Sequence, residues 1–156
     1  MYYQTFVKPH MAYSLFFDML GEDQFLEAFC EFVVRWKGKH PTPWDFFYTM
    51  NNVLGENYNW FWQAWFFELG YPDLGLELEK DGVIVNRIGA LPLPVKLKII
   101  RKDGVTETLT RTLDNWMDGE RQIYIEIEDI ESVKSIQLDH EEVPDIDHSN
   151  NYIEIM

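Results

Sequence analysis

Four histidines (His10, His40, His140 and His148) and one cysteine, Cys30, are the chain's imidazole and thiol groups. The string His140-Glu141-Glu142-Val143-Pro144 opens like the H-E-x-x-H zinc helix, which places two imidazoles on one face one turn apart. Pro144 stands where the second His is needed, and proline also forbids the helix. The segment from Asp145 to Met156, DIDHSNNYIEIM, has oxygen side chains at positions 1, 3 and 5, as in a calcium loop. Asn150 replaces the obligatory glycine at position 6 and Met156 the bidentate glutamate at position 12, so an EF-hand is excluded. A looser calcium turn and a purely hydrogen-bonded turn both stay open. There is no G-x-S-x-G elbow, no P-loop and no G-x-G-x-x-G. Cys30 lies in a helical, apolar context with nothing to activate it, and is expected to be a small core residue. One cysteine allows neither an intrachain disulfide nor a cysteine-based zinc cluster.

The elements that would position such groups change character near Gly70. Before it, apolar residues recur at helical spacing. A first helix is expected from Pro9, with Ala12, Leu15, Phe16, Met19 and Leu20 on one face and Gly21 as its stop. A second opens at Glu22-Asp23, with Phe25, Ala28, Phe29, Phe32, Val33 and Trp36 as its stripe. A third starts at Thr42, with Pro43 in the first turn and Asp45 completing a capping box, and ends at Gly55. A fourth is expected from Asn57 to Leu69. After Gly70 the residues alternate, with turns at Lys80-Asp81-Gly82 and Asp103-Gly104, which predicts about six antiparallel strands. The fold class is therefore α+β: about four helices followed by a small antiparallel β-sandwich. The expected divisions are 1–70 helical, 71–143 sandwich, and 144–156 a polar tail that wraps the surface.

Lys plus Arg number 13 and Asp plus Glu 27, a net charge of −14. A phosphate backbone needs a basic face, so a nucleic acid partner is excluded. No run reaches the ~20 apolar residues of a membrane span. Seven of the ten residues from Tyr58 to Phe67 are nevertheless aromatic. A helix with rings on every side is normally buried. A membrane-surface helix would carry Lys or Arg on its polar face, and this one carries Asn59, Gln63 and Glu68. A packing seam between the helical and strand halves is the favoured reading. A ligand-stacking platform and a membrane contact are the alternatives.

The order of motifs is more specific than any one of them. FVKPHMAYSLFFDMLGEDQF, then WKGKHPTPWDFFYTMNNVLGENYNWFWQAWFFELGYPDL, then GALPLPVKL and PDIDHSNN resemble the C-terminal part of a bacterial branch of the aminopeptidase N family. These are zinc metallopeptidases of the gluzincin type. The resemblance spans nearly the whole chain and implies the last helices of a thermolysin-like catalytic domain followed by a β-sandwich. It implies that the chain is a fragment of a longer protein, with the zinc ligands upstream and none within it. It implies a peptide substrate for the parent, an upstream catalytic domain as partner, no activity of this stretch alone, and a lean towards the periplasm or cell envelope. Members carry a Tyr in a Y-x-K-G or Y-x-K-P motif, whose hydroxyl stabilises the tetrahedral intermediate. Along FVKP that position is Phe6: Lys8 and Pro9 match, and the hydroxyl is absent. Tyr2 or Tyr3 could substitute. The competing reading is a non-catalytic scaffold, derived from the peptidase fold, that binds peptides or proteins. A carbohydrate-binding sandwich is weaker, since Trp116 and Tyr124 are the only rings of residues 74–140.

Overall fold

A computed structural model describes residues 7–138 and 144–155. Four helices are followed by two small antiparallel sheets, an α+β fold. The chain divides into two compact units between Glu68 and Leu69.

The helical unit contains α1 (Lys8–Leu20), α2 (Glu22–Trp36), α3 (Pro43–Leu54) and α4 (Asn59–Trp62). Local chemistry sets most of these boundaries. Gly21, at φ 78°, takes a backbone conformation that L side chains rarely adopt and breaks α1 from α2. The Thr42 amide donates to Asp45 Oδ2 at 2.7 Å, closing the capping box of α3. Gly55, left-handed at φ 71°, ends that helix. The joint to α4 is held by Asn51, whose Oδ1 accepts from the Tyr58 amide at 3.3 Å and from Trp62 Nε1 at 3.0 Å.

The aromatic stretch departs from the expected single helix over 57–69. It is α-helical only from Asn59 to Trp62 and then widens into a π-turn over Gln63–Phe67. The Glu68 amide reaches back five residues to the Gln63 carbonyl at 3.1 Å. Within the helical unit its rings pack onto α1 and α3. Trp62 lies 4.3 Å from Phe16 and 4.7 Å from Phe47, and Phe66 lies 5.0 Å from Phe47, centroid to centroid. Phe61, Trp62 and Trp65 are buried, whereas Phe67 is 42% exposed, so the element is not buried all round.

The second unit contains β1 (Leu74–Glu79), β2 (Gly82–Arg87), β3 (Val95–Arg101), β4 (Thr106–Arg111), β5 (Gln122–Glu126), β6 (Val133–Leu138) and β7 (Tyr152–Glu154). One sheet has the order β1-β2-β5 and the other β4-β3-β6-β7. Val83, Val85 and Ile125 from the first, and Leu97, Ile99, Ile136 and Leu138 from the second, are buried with Leu91, Leu93, Leu113 and Trp116. The Trp116 indole N–H donates to the Leu93 carbonyl at 2.6 Å, which satisfies its one polar group inside the core. Strand β4 is an edge strand that is exposed for most of its length and carries Thr, Glu and Arg, side chains that discourage further strand pairing.

The end of the chain departs from the expected surface wrap. Tyr152–Glu154 pairs antiparallel with β6, Ile136 opposite Ile153, and so adds a strand to the second sheet.

Candidate functional site

Phe6, which the sequence resemblance sets against a tyrosine, and its possible substitutes Tyr2 and Tyr3 lie outside the described residues, as do His140 to Val143. What is described is the anchor two residues further on. Lys8 begins α1 and is only 3% exposed. Its ammonium donates to the Glu68 carbonyl at 2.8 Å and to the Ala64 carbonyl at 3.3 Å. These carbonyls belong to the C-terminal end of the aromatic element, where a helix dipole leaves partial negative charge. The π-turn matters here, because a widened ring changes which carbonyls have partners along the chain. Lys8 therefore fastens the start of α1 to the end of the aromatic element across 60 residues of sequence.

Burial holds the Lys8 ammonium below the usual lysine range, and the nearby Glu68 carboxylate partly opposes this. Because the folded value lies below 10.5, the unfolded chain binds more protons in the interval between the two. Stability contributed by this group therefore rises with pH across that interval. Lys8→Met should destabilise the chain by ~1–3 kcal/mol, since two carbonyls lose a charged donor. The difference in stability between wild type and variant, measured by urea unfolding at several pH values, should carry the pH dependence. A variant as stable as wild type would show that the two hydrogen bonds add nothing.

The acidic turn of the tail is a hydrogen-bonded one. Asp145 accepts from the Leu74 amide through Oδ2 at 2.9 Å and from the Asp147 amide through Oδ1 at 2.9 Å. Asp147 Oδ1 accepts from the Ser149 amide at 3.0 Å and from its hydroxyl at 2.6 Å, which holds the Asp147 carboxyl below its ordinary range. Asp145 Oδ2 thus ties the tail to the start of β1, while Asp145 Oδ1 and Asp147 Oδ1 accept hydrogen bonds within the turn itself. Among the described residues no three His, Cys, Asp or Glu side chains come together as a metal-binding group.

Cys30 is exposed, contrary to the expectation of a core residue. Helix α2 turns Ala28, Phe25, Phe32 and Trp36 inward and leaves Phe29 (41%) and Val33 (47%) in solvent. The sequence reading placed all six on one buried stripe. It also missed a surface stack of rings in the helical unit. Trp44 lies face to face with Phe67 at 4.3 Å and 10°, and with Tyr48 at 6.2 Å and 25°. The signal was Trp44 and Tyr48 at i, i+4 spacing on α3, away from its buried face of Phe46, Phe47 and Met50. In the strand unit Trp116 is core and Tyr124 is exposed, so the two do not form a platform there.

No family model matches the chain. No curated protein matches it either. The fold is similar to that of a solved structure, Legionella pneumophila aminopeptidase A in complex with aspartic acid, with a TM-score of 0.58 at 19% identity. The match covers 81% of this chain and 15% of that one. At this identity the likeness is one of fold. The chain spans about 15% of the length of that aminopeptidase. Among the described residues no helix is long and apolar enough to cross a membrane.

Proposed function

We propose that the chain serves as the C-terminal portion of a zinc-dependent aminopeptidase-like metallopeptidase. In this reading the helical unit walls part of the peptide cleft, the β unit supports it, and an upstream catalytic domain supplies the metal ligands. The observation that carries the proposal is the fold likeness to an aminopeptidase over 81% of the chain. The motif order supports it, and Lys8 and Pro9 of the FVKP motif open α1, where Lys8 is fixed by two carbonyls. The described residues of this chain do not compose a metal centre, so no chemical step is assigned to them. Alone, the chain is inactive in this proposal.

A second reading rests on Phe6. A phenyl ring where the family carries a phenol removes a hydrogen-bond donor, which favours a scaffold that binds peptides or proteins without cleaving them. One experiment separates the two. Hydrolysis of a panel of aminoacyl-anilides by the longer protein is measured with bound zinc quantified on the same sample. Turnover with stoichiometric zinc supports the peptidase. Zinc without turnover supports the scaffold. The absence of both zinc and turnover sinks the peptidase and leaves the scaffold, which needs no metal to bind.

A further inference from the structure

Helix α2 has two apolar faces, and only one is used by its own unit. Phe25, Ala28, Phe32 and Trp36 turn inward, where Phe25 meets Phe16 and Phe17 and Phe32 meets Phe46. On the outer face Leu26 (43%), Phe29 (41%), Val33 (47%) and Val34 (72%) surround the exposed Cys30. At ~100° per residue these five positions form one continuous stripe centred near residue 30. The same stripe begins at Glu22 and Asp23 and ends at Lys37, all exposed. The face is thus acidic at one end, apolar in the middle and basic at the other end.

Such a face is complementary to itself when reversed. We propose that α2 is a homodimer surface, pairing antiparallel with α2 of a second copy of this chain about a two-fold axis near Cys30. Asp23 of each copy then faces Lys37 of the other, and Leu26 faces Val34. The two helix dipoles run opposed, as favourable pairing requires. The interface is small: a 15-residue helix is about 22 Å long and offers less than the ~800 Å² per partner of a standard complex. The dimer is therefore weak, with a dissociation constant in the micromolar range. This inference uses only residues of α2, and in the longer protein of the peptidase proposal it requires that the upstream part leave this face open.

Sedimentation of the 156-residue chain from about 1 to about 200 µM tests it. Wild type should move from monomer to dimer by mass action. Asp23→Lys alone and Lys37→Asp alone should each weaken association at least ~10-fold, because each places two like-charge pairs across the axis. An equimolar mixture of the two variants should recover association, since every reversed charge then meets its opposite. With copper-phenanthroline as oxidant, wild type should cross-link through Cys30, and Cys30→Ser should not. Circular dichroism confirms that each variant is folded. A chain monomeric throughout overturns the proposal. So does association that ignores both reversals or is not recovered by the mixture, which would place the contact elsewhere, for example on the rings of Trp44 and Tyr48. A cross-link that forms in this chain but not in the longer protein overturns it as well, because another part of that protein then covers the face.

Discussion

Phe16→Ala is expected to destabilise the chain by ~3–5 kcal/mol. Phe16 is fully buried and sits among four rings: Trp62 at 4.3 Å, Tyr58 at 5.1 Å, Phe61 at 5.3 Å and Phe25 at 6.4 Å. These come from α2 and from the aromatic segment around α4, so removing one phenyl opens a void that no single neighbour can fill. Rings in fixed tilted or edge-on geometry do not collapse into such a space without losing contacts of their own. Domains of this size hold together by ~5–15 kcal/mol, so the loss is a large fraction of the total. Urea midpoints measure it, with Phe17→Ala as the comparison. Phe17 is half-buried and meets Phe25 at 5.2 Å, and should cost less. Equal effects at the two positions would mean that the ring cluster is not organised around Phe16.

The second large effect belongs to the proposed chemistry. Under that proposal Phe6→Tyr in the zinc-loaded parent should raise kcat by ~10²–10³, the usual worth of one oxyanion donor. KM should change little, because the phenol acts on the tetrahedral intermediate and not on the bound substrate. Full zinc occupancy with unchanged turnover would sink the idea that the missing hydroxyl limits catalysis, and would point to Tyr2 or Tyr3 as the donor.

Elements decided by local chemistry were legible in the sequence. The capping box of Thr42 and Asp45, the stops at Gly21 and Gly55, and the alternation of Val95, Leu97 and Ile99 each determine their own few residues. Elements decided by distant partners were not. Helix α2 has apolar residues around most of its circumference, so periodicity could not say that Phe29, Cys30 and Val33 face out. Rings on every side of the aromatic stretch gave it no phase, and packing against Phe16, Phe46 and Phe47 governs its shape. Strand β7 is three residues long, too short to alternate visibly, and its partner β6 precedes it by more than a dozen positions. Of the proposed site, the motif around Lys8 could be quoted from sequence. Its burial, and its two acceptors near the far end of the unit, could not.

The π-turn over Gln63–Phe67 also bears on how this chain tolerates change in length. A helix ordinarily resists losing a residue, because every side chain beyond the gap rotates by ~100° and the faces fall out of register. Here the widened turn already holds one surplus residue, bridged by the Gln63–Glu68 hydrogen bond. The widened turn is the last of its helix, because Glu68 is already extended, and a single deletion within 63–67 is expected to return it to ordinary α-helix. The carbonyl that Lys8 holds at Ala64 is what such a deletion puts at risk.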